Sequence, residues 1–101
     1  MSNYEDVEWF NEILWCICIV RETEKSVLIE VPEHAKYAGY TFWHPKQLVR
    51  HERNGFSFSY NSGFIFRLKR DQSQGGKIIL TSDELRKVYV DHYLNTSNRM
   101  D

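Results

Sequence analysis

Residues 56–69 read Phe-Ser-Phe-Ser-Tyr-Asn-Ser-Gly-Phe-Ile-Phe-Arg-Leu-Lys, and this stretch carries the strongest signal for the fold. Apolar and polar side chains alternate on both sides of Asn61-Ser-Gly63, and a period of two is that of a β-strand with one buried face. The turn residues between the two runs predict that they pair as a hairpin. One face of this hairpin is expected to be aromatic, and the other small or basic.

The sequence after this hairpin predicts one more strand and a helix. Residues 71–76 read as a loop, and Lys77 to Leu80 form a short apolar strand. The helix is expected from Ser82 to about Leu94, because Thr81 and Glu84 have the spacing of a capping box. The apolar face with which it would cover the sheet consists of Leu85, Val88, Tyr89 and Tyr93.

The first half of the chain predicts a second hairpin and further strands. Ile13 to Val20 is apolar at both parities, which favours a central strand that is covered on both sides. It would pair with Ser26 to Val31 across a polar turn, and Pro32 would end that hairpin because proline cannot donate to a ladder. Tyr40 to His44 is the next strand, and residues 47–51 form a short one after it.

The fold class that follows is α+β. We expect five or six mostly antiparallel strands in a strongly curved sheet, with a barrel as one form of it, and the C-terminal helix. Val7, Phe10, Ile13 and Leu14 fall at helical spacing and predict a second, short helix from about Tyr4. With 101 residues and 42% apolar residues the chain has one core, so that 1–101 is a single domain with frayed ends at 1–3 and 95–101.

Three features predict a cytoplasmic protein without membrane contact. The longest apolar run, Ile13 to Val20, is far shorter than the roughly 20 residues of a membrane span. The acidic first residues lack the basic start of a signal peptide. Cys16 and Cys18 lie one residue apart in an expected strand, where a bond between them would strain the backbone.

The residue pattern predicts neither an enzyme nor a metal or other cofactor. Gly-x-Ser-x-Gly, His-Glu-x-x-His and a phosphate-binding loop are absent from the sequence. The two cysteines and four histidines do not have the paired spacing of structural zinc sites. A thiol in a buried strand is also poorly placed to react.

Charge is unevenly distributed, although the formal net charge is −1. Residues 1–12 carry four acidic groups and no basic one, whereas residues 46–77 carry seven basic groups and two acidic ones. An acidic first segment and a basic middle suit a nucleic acid or a charged protein surface as partner.

A small domain that binds single-stranded nucleic acid is the alternative function. Aromatic side chains next to basic ones on adjacent strands can stack bases and hold phosphates. Strict alternation, however, sends the aromatic and the basic side chains of residues 56–69 to opposite faces. Only residues near strand ends, such as Trp43, His44, Lys46 and Tyr60, escape this objection.

Two segments resemble small uncharacterised proteins of bacterial phages and mobile elements. Residues 25–31 read Lys-Ser-Val-Leu-Ile-Glu-Val, and residues 40–49 read Tyr-Thr-Phe-Trp-His-Pro-Lys-Gln-Leu-Val. In those proteins a strand precedes an aromatic-x-Pro-Lys turn, usually with Ser where this chain has Gln47 and without the insert at 33–39. The resemblance implies a mobile-element origin and no known active site, and proteins of this kind include anti-CRISPR inhibitors of host machinery.

The expected function is that of a non-enzymatic phage or mobile-element protein that binds and inhibits a host protein. The expected partner class is a nucleic-acid-handling defence enzyme, and the protein would act as a monomer or a homodimer without a cofactor. The residues expected to contact the partner lie in one turn, a basic group and the acidic first segment: Trp43, His44, Lys46, Arg50, Arg53, Arg67, Lys69, Arg70, Glu5, Asp6 and Glu8.

Overall fold

The computed structural model describes residues 7–14, 18–70 and 76–97. Within these ranges the α+β class is confirmed, with eight strands and one α-helix. In chain order these elements are β1 (Trp9–Leu14), β2 (Ile19–Glu22), β3 (Ser26–Glu30), β4 (Tyr40–Pro45), β5 (Val49–Glu52), β6 (Gly55–Asn61), β7 (Ile65–Arg70), β8 (Lys77–Thr81) and α1 (Ser82–Ser97). A 3-10 turn at Lys46–Leu48 joins β4 to β5.

The described strands form two antiparallel sheets. The smaller sheet has the order β1-β6-β5, and the larger sheet has the order β2-β3-β4-β7-β8. Each sheet therefore ends in two edge strands, and neither closes into a barrel.

The strands on either side of Asn61-Ser-Gly63 do not pair as a hairpin. β6 belongs to the smaller sheet and β7 to the larger one, so the predicted pairing is wrong. The predicted alternation is confirmed in β7, where Phe66 and Leu68 are buried between exposed residues. In β6 the aromatic residues at 56, 58 and 60 are buried as predicted, but Ser57 is buried as well. The rings of Tyr60 and Phe66 meet edge to face with centroids 5.3 Å apart. The two aromatic faces thus cover each other across the core, as in stacked sheets.

The N-terminal segment is a strand where helical spacing predicted a helix. Residues 9–14 form β1, which pairs with β6 from Trp9 opposite Asn61 to Leu14 opposite Phe56. Phe10 and Leu14, four residues apart, fit both periods, and the pairing with β6 decides between them. The single central strand predicted for Ile13 to Val20 is also wrong, because this run is divided between β1 and β2, which are edge strands of different sheets.

The remaining predicted elements are confirmed. β2 and β3 form the second hairpin, although its first strand is Ile19–Glu22 rather than Ile13 to Val20. β4 and β8 lie where they were expected, and the short strand after Pro45 is β5, two residues later than predicted. The capping box is present: the Glu84 N–H donates to Thr81 Oγ1 at 3.2 Å, and the Thr81 N–H donates to Glu84 Oε1 at 2.9 Å.

Helix α1 packs its predicted apolar face on β1, β7 and β8. Leu85 and Tyr89 are fully buried, and the Tyr89 ring lies 5.6 Å from that of Phe58. No helix in the part of the chain that the structure describes has both the length and the apolar composition that crossing a bilayer requires.

Candidate functional site

The larger sheet has one face on the core and the other in solvent. On β4, Phe42 and His44 point inward and are 1% exposed, whereas Trp43 points outward and is 47% exposed. On β7, Phe66 and Leu68 are buried, and the residues that alternate with them are exposed. We call the solvent side of this sheet the outer face.

Strand register brings the exposed apolar residues of the outer face together. Arg67 on β7 lies opposite Ile79 on β8, and Ile65 lies opposite Thr81. The register of β4 with β7 pairs Thr41 with Lys69, and Trp43, two residues further along β4, projects from the same face as Thr41. The outer patch is defined as Trp43, Ile65, Arg67 and Ile79.

The outer patch is unusual for its exposure. Ile65 is 60% exposed and Ile79 is 65% exposed, and both project from strands rather than from loops. Scattered single apolar residues are normal on a protein surface, but a contiguous group on one sheet face marks an interaction surface.

The outer face is also positively charged. Arg67, Lys69 and Lys77 are exposed on it, and none of them forms an ion pair with another described residue. Among the described residues of this face, Glu30, opposite Thr41, is acidic.

The structure separates the residues that were expected to contact a partner. Trp43, Arg67 and Lys69 lie together on the outer face, and Arg70 follows at the end of β7. Arg50 is on β5 of the smaller sheet and Arg53 is in the turn after it, so these two belong to another surface.

Two further expected contacts have local roles. The Lys46 ammonium lies 3.2 Å from the Glu22 carboxylate and donates to the Thr23 carbonyl at 3.2 Å, which ties the β4 end to the β2–β3 turn. Glu8 is exposed before β1, where its backbone N–H donates to Ser62 Oγ at 3.2 Å. Glu5 and Asp6 lie outside the described residues.

His44 lies in the core rather than at a surface. Its Nε2–H donates to the Ser59 carbonyl at 2.7 Å and so links the two sheets. Its ring lies among those of Phe58, Phe64 and Phe66. Burial lowers the pKa of His44, and the hydrogen bond to Ser59 offsets part of this change. A partner could reach this imidazole only by displacing core residues.

The buried carboxylate of Glu12 is a polar centre that the sequence did not reveal. Tyr60 Oη donates to Oε2 of Glu12 at 2.5 Å, and Tyr93 Oη donates to Oε1 at 2.7 Å. The Ile13 N–H in turn donates to Tyr93 Oη at 3.1 Å. The Arg86 guanidinium lies above the Phe10 ring and acts electrostatically on the carboxylate. The strand alternation of Phe10, Glu12 and Leu14 would have placed Glu12 inward, but the helical interpretation concealed it.

This centre is closed to solvent. Burial raises the pKa of Glu12, while the hydrogen bonds from Tyr60 and Tyr93 and the charge of Arg86 act in the opposite direction. Burial and the neighbouring carboxylate raise the pKa values of both tyrosines. Because Glu12 is 3% exposed and both of its oxygens already accept hydrogen bonds, the arrangement ties elements together and does not present a reactive group to a substrate.

The described residues hold no group of three His, Cys, Asp or Glu side chains that could bind a metal ion. Cys18 is half-buried, and Cys16 lies outside the described residues. Comparison with protein families, with curated proteins and with solved structures found no match for this chain in any of the three. The candidate functional site is therefore chosen on geometry, and it is the outer patch.

Proposed function

We propose that this chain is a non-enzymatic binding protein whose outer patch docks on an apolar protein surface with an acidic border. The observation that carries the proposal is the exposure of Trp43, Ile65 and Ile79 beside Arg67 on one sheet face. Removing apolar surface from water is favourable by about 25 cal/mol per Å². Tryptophan and arginine are also among the residues that dominate binding energy at interfaces.

A protein partner suits this patch better than a nucleic acid. A base stacks on an aromatic ring, and Trp43 is the one aromatic residue among the four that define the outer patch. Ile65 and Ile79 provide aliphatic surface, which packs against aliphatic and aromatic side chains of a protein. The adjoining Lys69 and Lys77 favour acidic groups at the rim of the partner's surface.

The proposed biological role is inhibition of a host protein, with a nucleic-acid-handling defence enzyme as the partner class. The resemblance of residues 25–31 and 40–49 to proteins of phages and mobile elements supports this role. The closed Glu12 centre supports binding over catalysis, because a buried carboxylate with both oxygens occupied cannot reach a substrate. The protein would act by occupying a surface that the enzyme needs.

The test is a plating assay in bacterial cells that carry a nuclease-based defence system directed against a phage. Cells that express the wild-type chain are expected to permit plating of the targeted phage. In cells that express the double variant Trp43→Ala/Ile79→Ser, the targeted phage should fail to plate. The variant lacks two exposed apolar side chains of the contact surface, while its core is unchanged. Leu94→Ser, at a residue that is 58% exposed on α1, is the matched control and should behave as wild type.

The outcomes separate the role from the site. If the wild-type chain does not permit plating of the targeted phage in cells with any of several nuclease systems, the inhibitor role is refuted. If the double variant permits plating as well as wild type does, the inhibitor role stands but the outer patch is not its contact surface. Equal expression and equal melting temperatures of the three proteins would show that the loss is not one of folding.

A further inference from the structure

The geometry points to a second binding site at one end of the larger sheet, and we propose that this site holds single-stranded nucleic acid. The site, called the cationic end, consists of Lys36, Tyr37, Tyr40, Lys69, Arg70 and Lys77. It lies where β4 begins, β7 ends and β8 begins. It contains none of the four residues that define the outer patch, although Lys69 and Lys77 also border that patch, and it does not depend on the proposed function.

Strand register concentrates positive charge at this end. Arg70 on β7 lies opposite Tyr40 on β4, and Lys69 lies opposite both Thr41 on β4 and Lys77 on β8. Like charges directly opposite each other on neighbouring strands destabilise a sheet. Neither Lys69, Arg70 nor Lys77 forms an ion pair with another described residue. A group of cations on adjacent strands is suited to a polyanion.

Aromatic rings alternate with the cations. The Arg70 guanidinium carbon lies 5.5 Å from the centroid of the Tyr40 ring. The Tyr40 ring meets the Tyr37 ring edge to face at 5.9 Å, and the Lys36 ammonium lies 5.3 Å from the centroid of Tyr37. Cation–aromatic contacts of this length are attractive and restrict the long side chains.

The loop before β4 holds Tyr37 in place at the expense of backbone strain. Three successive turns are closed by hydrogen bonds from the N–H of Ala35, Ala38 and Tyr40 to the carbonyls of Pro32, Ala35 and Tyr37. The third residue of each turn has positive φ, and these residues are His34 (72°), Tyr37 (66°) and Gly39 (89°). This conformation suits glycine and is costly for His34 and Tyr37. Strained residues of this kind cluster at ligand-binding positions.

The arrangement favours nucleic acid over an acidic peptide. Bases stack on aromatic rings and on guanidinium planes, so the Arg70–Tyr40 pair offers a base a stacking surface beside a positive charge. A carboxylate makes no use of such a surface. Tyr40 and Arg70 are cross-strand partners and therefore share a face, so the objection that strict alternation separates aromatic from basic residues does not apply to this pair. Lys69 and Lys77 project from the opposite face of the same sheet end, so the bound strand would pass around that end.

The experiment is fluorescence anisotropy of a labelled oligo(dT) of about 12 nucleotides, titrated with the full chain at about 50 mM and about 200 mM salt. Wild type should bind in the micromolar range at the lower salt and weaken steeply as salt rises. With three phosphates neutralised, log Kd should rise by about 2 per log unit of salt. Lys69→Gln and Arg70→Gln should each weaken binding roughly five- to tenfold at the lower salt. Lys87→Gln on α1 is the matched control and should leave the Kd unchanged.

Two further variants test the details. Arg70→Lys retains the charge but not the planar group, and it should weaken binding severalfold while the salt dependence stays the same. Trp43→Ala/Ile79→Ser should bind the oligonucleotide as wild type does, because the cationic end is separate from the outer patch. Circular dichroism and melting temperature verify that each variant is folded.

Three results would overturn the assignment. The first is no binding of oligo(dT) at the lower salt, and the second is binding that Lys69→Gln and Arg70→Gln leave unchanged. The third is tighter binding of a labelled oligo-glutamate peptide of the same length, with the same dependence on Lys69 and Arg70, which would make an acidic peptide the ligand.

Discussion

The Tyr60 hydroxyl donates a 2.5 Å hydrogen bond to the buried carboxylate of Glu12, and the two residues lie on neighbouring strands of the smaller sheet. Tyr93, from α1, donates to the other carboxylate oxygen. The carboxyl group of Glu12 thus joins β1, β6 and the helix at a point that solvent does not reach. Buried polar groups are tolerated when each of them has its hydrogen-bond partners. The loss of either donor would leave one carboxylate oxygen without a hydrogen bond in an apolar environment.

Replacing Tyr60 by Phe is expected to lower the free energy of unfolding by about 1.5–3 kcal/mol, because Glu12 loses a donor that cannot be replaced by water. Tyr89 provides a matched control, since it is equally buried but its hydroxyl has no hydrogen-bond partner among the described residues. Tyr89→Phe should therefore leave stability unchanged or raise it by about 1 kcal/mol. Urea unfolding of the three proteins measures both changes, and equal effects of the two substitutions would contradict the importance of the Tyr60–Glu12 bond.

The pH dependence of stability should reveal the raised pKa of Glu12. In the unfolded chain this carboxyl titrates near its ordinary value of 4.5, while in the folded protein its pKa lies higher because it is buried. Above pH 4.5 the unfolded chain therefore loses the proton first, which favours unfolding, and this destabilisation grows until the pH passes the folded pKa. The contribution is thus fully favourable below 4.5 and is lost as the pH rises.

Glu12→Gln removes this titration and keeps a polar group of the same size. We expect the variant to gain on wild type as the pH is raised from about 4 to about 7, by about 1.4 kcal/mol for each unit by which the folded pKa exceeds the unfolded one. Urea unfolding of both proteins across this pH range gives the difference between their free energies of unfolding. The other carboxylates are the same in both proteins and therefore do not contribute to this difference. A constant difference would show that Glu12 does not titrate abnormally.

The confirmed elements are those whose signals are local. Thr81 and Glu84 fix the start of α1 through a capping box, and the helix period of its apolar residues fixes its buried face. Pro32 and Pro45 fix where strand ladders stop. Each of these depends on residues a few positions apart, and their physics is the same in any surrounding fold.

Strand pairing depended on contacts that the sequence does not encode locally. Asn61-Ser-Gly63 reverses the chain, but both edges of β6 are occupied by β1 and β5, and both edges of β7 by β4 and β8. The chain therefore passes from one sheet to the other at this turn. β1 itself is the strand that occupies one edge of β6, so the mistaken helix at the N-terminus and the mistaken hairpin have a common cause.

For the candidate sites, too, the sequence predicted what depends on a single strand and not what depends on the pairing of strands. The exposure predicted for Arg67 and Lys69 is confirmed, whereas Trp43 and His44 were both expected to contact a partner and only Trp43 is exposed. The Tyr40–Arg70 pair could not be predicted, because it requires the register between β4 and β7. These two strands are separated in the chain by β5 and β6, which belong to the smaller sheet.

His44→Leu should destabilise the protein by about 1–2 kcal/mol at pH 7, because the Ser59 carbonyl loses its donor across the two sheets. The effect should shrink as the pH falls. Burial holds the pKa of His44 below its ordinary 6.5, so below that pH the unfolded chain binds the proton first and wild type loses stability, whereas the variant does not. Urea unfolding between about pH 5 and pH 7 measures this, with the exposed His51→Gln as control. A loss that is independent of pH would mean that His44 titrates alike in both states.

Lys77→Glu should stabilise the free protein although it damages the proposed nucleic-acid site. Lys69 and Lys77 are direct cross-strand neighbours, and replacing a like-charge pair by an opposite-charge pair gains about 0.2–1 kcal/mol. Lys77→Gln should gain less, because it removes the repulsion without adding an attraction. The gain should fall at about 1 M salt, where the screening length is about 3 Å.

Thermal and urea unfolding of wild type and the two Lys77 variants, at low and high salt, measure these differences, and anisotropy with oligo(dT) measures the accompanying loss of binding. Greater stability together with weaker binding would mean that the two lysines oppose each other in the free protein and that an anionic ligand relieves their repulsion. If Lys77→Glu were less stable than wild type at low salt, the repulsion between Lys69 and Lys77 would not be significant. The electrostatic basis of the cationic end would then be lost.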